Sequence, residues 1–311
     1  MRRAWGLAIG LLSVTAAHAA YPERPIQMLL PFTAGGSIDL LGRVLADELT
    51  AGLGQPVVVS NRDGASGTIM AGAIATAKPD GYTIGFTPVG AWTTQLHMNP
   101  KLPYARDSIR PVCETFEQGY ALIVRGDSPY RSAAELVAAG HRTPGKLPFG
   151  AAGRGTAAHL TGLGFLHAAK LDVIEVAYRG DAALATAMNA GDVAFGTMVT
   201  GTARAQGFRL LGIFSAQRQP DFEDVPTIRE QGFDVVGVAF GGIVVPKETS
   251  DDIAARLEQA CRAAVQSARY RAMARQTTQP VAWRDGAAFG REIDADYAAK
   301  GEIVRRAKLV D

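Results

Sequence analysis

Two glycine-rich stretches hold the residues of this 311-residue chain best suited to chemistry. The first reads Pro31-Phe32-Thr33-Ala34-Gly35-Gly36-Ser37-Ile38-Asp39. Its two glycines permit positive φ and let a ligand approach the backbone. Ser37 fits a helix N-cap, and Asp39 suits the positive end of the helix that follows. The amides of Gly36, Ser37 and Ile38 would then face whatever sits above the turn, which makes an anion site without a basic side chain. The Lys-Ser/Thr ending of a phosphate loop is absent. The second stretch, Gly150-Ala151-Ala152-Gly153-Arg154-Gly155-Thr156-Ala157-Ala158-His159, repeats the same physics with Thr156 as the cap. His159 falls on the first turn of the next helix, where it is expected to brace the loop rather than act as a base.

Other chemistries find little support. No Gly-x-Ser-x-Gly elbow occurs, so ester hydrolysis stands only as an alternative that would need His159 as base. His159 and His167 are too far apart for a helical zinc pair, and neither Cys113 nor Cys261 has a partner at metal spacing. No Gly-x-Gly-x-x-Gly follows a strand. The expectation is a binding protein with no catalytic residues, no metal and no cofactor.

Composition narrows the partners. Hydrophobic residues make up 47% and charged residues 20%, the proportions of a globular chain with a core. Arg2 and Arg3, the apolar run Trp5 to Val14 and Ala17-His18-Ala19 have the order of a secretory signal peptide over residues 1–19. Export to the periplasm is therefore expected. Without those two arginines the 32 basic residues fall to 30, level with the 30 acidic ones. That balance argues against nucleic acid and against an anionic membrane surface. In an oxidising compartment Cys113 and Cys261 could pair, but two separate buried thiols fit the sequence equally well.

The elements that must position the two turns follow from periodicity. Ile26 to Pro31, Gln55 to Ser60 and Tyr82 to Thr87 read as buried strands, separated by helices over Leu40 to Leu49 and Ser66 to Ala77. Pro111 to Glu117 and Gly119 to Arg125 read as two successive extended segments. A second alternation follows, with helices at Ser132 to Ala139, Thr156 to Ala169 and Ala182 to Ala190. Its strands are Leu147 to Gly150, Val173 to Val176, Val193 to Thr197 and Arg209 to Phe214. Val235 to Val245 is extended again, and from Ser250 the chain reads as almost wholly helical to Arg306. Strand–helix alternation implies mostly parallel sheets flanked by helices. Two runs joined by two extended crossings imply an α/β protein of two lobes with two connecting strands. Lobe 1 would be residues 20–120 plus 240–311, and lobe 2 the inserted 121–239. Ligands in such sheets sit at the carboxyl ends of strands.

These same stretches resemble the Bug family, the substrate-binding proteins of tripartite tricarboxylate transporters. Matching segments include Tyr21-Pro22-Glu23-Arg24-Pro25-Ile26, Pro31 through Gly36 to Asp39, Gly54-Gln55-Pro56-Val57-Val58-Val59, Asn61-Arg62 and Lys78-Pro79-Asp80-Gly81-Tyr82-Thr83. Gly153 through His159-Leu160, Tyr178-Arg179-Gly180, Asp224-Val225-Pro226-Thr227 and Glu230-Gln231-Gly232 complete the set in order. The resemblance implies a two-lobed periplasmic-binding-protein fold of type II that grips a ligand carboxylate between the two loops. Carried over, Phe32, Thr33, Gly35, Gly36 and Ser37 form one jaw, and Gly153, Gly155, Thr156 and His159 the other. Asp39, being negative, would steady its loop. The segment Thr87-Pro88-Val89-Gly90 and Met198 would frame the ligand's far end. Partners so implied are a small carboxylate and the membrane subunits of a transporter, or a membrane receptor if the protein is a sensor, with the protein itself a monomer. The chain departs from the family pattern at Asp181-Ala182-Ala183-Leu184 and at Thr197-Met198-Val199-Thr200-Gly201, which leaves the identity of the carboxylate open.

Overall fold

A computed structural model describes residues 21–178, 180–306 and 309. The expected signal peptide, residues 1–19, and Arg179 of the Tyr178-Arg179-Gly180 motif lie outside the described residues. The first part of the chain runs β1 (Ile26–Leu30), α1 (Ser37–Leu53), β2 (Val57–Asn61), α2 (Thr68–Ala75) and β3 (Thr83–Pro88), then two single turns, α3 (Gly90–Thr93) and α4 (Gln95–Met98). The long β4 (Ile109–Val124) leads to α5 (Ala133–Arg142), β5 (Pro148–Ala152), α6 (Ala157–Ala168), β6 (Ile174–Tyr178) and α7 (Asp181–Ala190). Then come β7 (Phe195–Val199), α8 (Thr200–Ala205), β8 (Arg209–Ile213) and β9 (Val238–Pro246). The chain finishes with α9 (Asp251–Gln266), α10 (Ala268–Gln276), β10 (Val281–Asp285) and α11 (Gly286–Arg306).

The strands order as β2-β1-β3-β9-β4-β7-β5-β6, with β8 and β10 also on β4. Strands β1, β2 and β3 are mutually parallel, as are β5, β6 and β7, so each strand–helix alternation yields the expected parallel ladder. Between these two parallel groups, β9 and β4 run antiparallel. The two extended segments expected at Pro111 to Glu117 and Gly119 to Arg125 are one strand of 16 residues. At about 3.3 Å per residue it spans roughly 50 Å, enough to belong to both groups. Its first part pairs with β9 and β10, and its last residues with β7 and β8.

Alternation along the strands sends side chains into packed layers on both faces. Ile26, Met28 and Leu30 join Leu41, Leu45 and Phe86 under α1, while Leu29 faces Ile74, Trp92 and Phe289. On β4, Tyr120, Leu122 and Val124 pack with Phe149 and Phe195, whereas Ala121 and Ile123 pack with Leu184 and Met188. One sequence expectation needs correction: the stretch from Ser250 is not almost wholly helical, because Val281–Asp285 is an edge strand on β4. The cysteine question the sequence left open is answered by a disulfide between Cys113 of β4 and Cys261 of α9, across a sequence separation of 148 residues.

Candidate functional site

Between the β1–α1 and β5–α6 turns lies a cavity of about 450 Å³. Phe32, Thr33, Gly36 and Ser37 of the first turn line it, and so do Gly155 and Thr156 of the second. Both turns end on the N-terminus of a helix. The first turn of a helix leaves amides without intrahelical partners, and the aligned peptide dipoles add partial positive charge there.

The first turn is held from behind. Gly35 takes φ +85° and donates its amide to Asp39 Oδ2 at 2.9 Å. Asp39 is buried, and it also accepts from Arg43 Nε and Nη2 at 2.9 Å each and from Asn61 Nδ2 at 2.9 Å. Asn61 Nδ2 reaches Phe32 O at 2.8 Å as well, so one acidic residue gathers the turn, α1 and β2. Burial alone would raise the Asp39 carboxyl. The hydrogen bonds from Arg43, the Gly35 amide and Asn61 outweigh it and hold the pKa down to about 2. The expected cap shifts by one residue, since Gly36 is the N-cap and Ser37 the first helical residue. Gly36 has no side chain to cap with, so the amides of Ser37 and Ile38, both lining the cavity, stay uncapped. The Ser37 hydroxyl is taken by Gln279, whose Nε2 lies 3.1 Å away.

The second turn uses different residues for the same job. Gly153 and Gly155 take φ +78° and +72°. Thr156 caps α6 as expected, accepting from the His159 amide at 3.3 Å and donating to Ala152 O at 2.6 Å. His159 is fully buried. Its Nδ1 accepts from the Gly155 amide at 3.1 Å, which leaves Nε2 to carry the proton and donate to Glu175 Oε1 at 2.6 Å. That bond holds the Glu175 carboxyl below its ordinary value. In both turns, then, the residue four positions after a positive-φ glycine consumes that glycine's amide.

Gly35, Asp39, Gly153 and His159 therefore shape the turns without lining the cavity, as does Arg154, which is exposed. Thr87 and Met198, expected at the far end, do not line it either. Thr87 is buried and donates to Pro88 O, so Pro88, Val89 and Gly90 form that wall. Met198 is fully buried among Ala121, Ile123 and Leu184 on the other face of the sheet. The rest of the wall includes residues the sequence did not single out as a site: Thr93 to Gln95, Gln118 and Tyr120 of β4, Val238 to Phe240 of β9, Gln279 before β10, and Asp296 and Lys300 of α11. The Asp-x-x-x-Lys spacing is visible in the sequence, but it occurs on any solvated helix face and says nothing of burial.

A cluster of carboxylates elsewhere, Glu114, Glu117 and Glu292, has metal-like spacing. The Arg284 guanidinium fills it, with Nη1 2.8 Å from Glu114 and 2.9 Å from Glu117 and Nε 2.7 Å from Glu292. Burial, with Glu292 next in weight, pushes the Glu114 carboxyl up to about 8 against the pull of Arg284. Among the described residues, no helix is long and apolar enough to cross a membrane.

Comparison with known proteins gives these features a family. The model of the tripartite tricarboxylate transporter family receptor matches residues 41–309. Protein BugT of Bordetella pertussis is 33% identical over 287 residues, covering 88% of each chain. The crystal structure of a TctC solute-binding protein from Polaromonas superposes with a TM-score of 0.82 at 26% identity, covering 92% of this chain and 99% of that one. MatC from Rhodopseudomonas palustris, solved with bound malate, gives a TM-score of 0.74 at 26% identity, covering 91% of this chain and all of that one, 100%. The chain belongs to the tripartite tricarboxylate transporter receptor family, the TctC-type periplasmic solute-binding proteins.

Proposed function

We propose that the protein captures a small carboxylate in this cavity, between two lobes that close on it, and delivers it to the membrane subunits of a tripartite tricarboxylate-type transporter. The lobes are residues 20–120 with 240–311, and residues 121–239, with β4 and β9 as the connecting strands. Residues 1–19 direct export. The observation that carries this reading is the pair of helix starts on one cavity: uncapped amides of Ser37 and Ile38 on α1, and Thr156 and Ala157 at the start of α6. Each charge-assisted hydrogen bond contributes roughly 1.5–3 kcal/mol, and each helix end about 0.3–1 kcal/mol more. Closure and lost ligand freedom take back several kcal/mol. Micromolar affinity, near −8 kcal/mol, is within reach of that balance. Malate in MatC shows that a related protein of this fold holds a carboxylate.

A thermal-shift panel tests the reading. Carboxylates at saturating concentration should raise Tm by about 5 °C or more, while the matching primary amides should not. Equal shifts with acid and amide, or none with any carboxylate, would remove the basis for the proposal.

A further inference from the structure

Two charged residues line the cavity among the described residues, and they form one ion pair. Lys300 and Asp296 lie one turn apart on α11, with Nζ 3.1 Å from Oδ1. The Lys300 side chain is only 7% exposed and that of Asp296 18%. A lysine seldom gives up that much water, and its ammonium has three donors of which a single carboxylate oxygen uses one. Tyr120 of β4 joins the same wall with 6% of its surface exposed. Its hydroxyl has no hydrogen-bond partner among the described residues. Burial, reinforced by the charges of Asp181 and then Asp296, pushes that hydroxyl above its ordinary value, so it remains a neutral O–H donor. Lys300 and Tyr120 thus offer donors beyond the one that Asp296 uses, in a place largely withdrawn from water. A group with several acceptor sites and a negative charge satisfies it best. Away from the cavity, Arg284 shows the same chain holding one cation among several carboxylates.

We propose that Lys300 and Tyr120 receive a second carboxylate of the ligand, with Asp296 positioning the ammonium, so that the site selects dicarboxylates over monocarboxylates of the same length. The helix starts hold one end of the ligand and α11 reads the other. This inference rests on the cavity being the carboxylate site.

Calorimetry with three ligands of matched length tests it: adipate, hexanoate and 6-aminohexanoate, with the shorter set succinate, butyrate and 4-aminobutyrate beside them. The wild-type protein should bind the dicarboxylate of at least one set about tenfold or more tightly than its monocarboxylate. Lys300→Met, and the charge-balanced double change Asp296→Asn with Lys300→Met, should bring that ratio down to about one. Tyr120→Phe should lower it by a smaller factor. Circular dichroism confirms that each variant is folded. Equal affinity for both classes in the wild-type protein would overturn the inference, as would a Lys300→Met variant that weakens both classes by the same factor. Preference for the amino acids, lost in Asp296→Asn, would overturn it in favour of an ammonium held by Asp296. Failure of every acid to bind would instead sink the underlying reading of the cavity.

Discussion

Asp39 and His159 do the same work with opposite chemistry. Each takes the amide of a positive-φ glycine four residues earlier, one as a buried anion and the other as a neutral ring. The consequences for pH differ. The Asp39 carboxyl titrates near 2 in the fold against an ordinary value near 4, so its stabilisation is complete above about pH 4 and is lost as pH falls towards 2. The loss amounts to about 2 kcal/mol, and Asp39→Asn should flatten that part of the urea-midpoint profile. A profile equally steep in the variant would place the acid-sensitive group elsewhere. For His159 the contrast lies between substitutions. Alanine leaves the Gly155 amide and Glu175 without their partner and should cost about 2–4 kcal/mol of stability. Asparagine, which presents an acceptor near the Nδ1 position, should recover most of the stability and ligand affinity. A general base would tolerate neither change, and unfolding curves with calorimetry on both variants separate the two roles. Both residues stood out in the sequence because of their place after a glycine-rich turn. Which amide each one takes is set by the tertiary packing, since a side chain at the first helical turn can cap, brace or face outward.

At the scale of elements, the start of α1 makes the sharpest case. Gly36 has φ −76° and ψ 170°, the extended geometry that a following proline requires, and position Ser37 is the first of the helix. Ser37→Pro should therefore leave the fold intact while deleting one amide donor. Ligand affinity should fall about tenfold, and Ser37→Ala, which keeps the amide, should fall less. Similar losses in the two variants would assign the effect to the hydroxyl that Gln279 holds. The long helices were legible from apolar residues at helical spacing, and the six strands of the parallel ladders from short apolar runs set between those helices. The single turns α3 and α4 were not, because four residues carry no periodicity. Strand β10 was missed because it is a half-buried edge whose partner, β4, lies far back in the chain.

For the whole molecule, β9 and β4 lie side by side between the two parallel groups, where the proposed lobes would hinge. Saturating carboxylate should then lower the radius of gyration in small-angle scattering, and Ser37→Pro should need more ligand for the same change. Superimposable curves with and without a ligand that calorimetry shows to be bound would argue against closure. The amino-acid order by itself determined the α/β alternation, the two amide-rich turns and the family, because these rest on local backbone preferences and on spacing within short stretches. Tertiary structure alone decided that Cys113 meets Cys261, that Met198 packs away from the cavity, and that Lys300 and Asp296 line it. Those facts follow from how distant segments pack, and burial of a charge is a property of the assembled surface rather than of its neighbours in sequence.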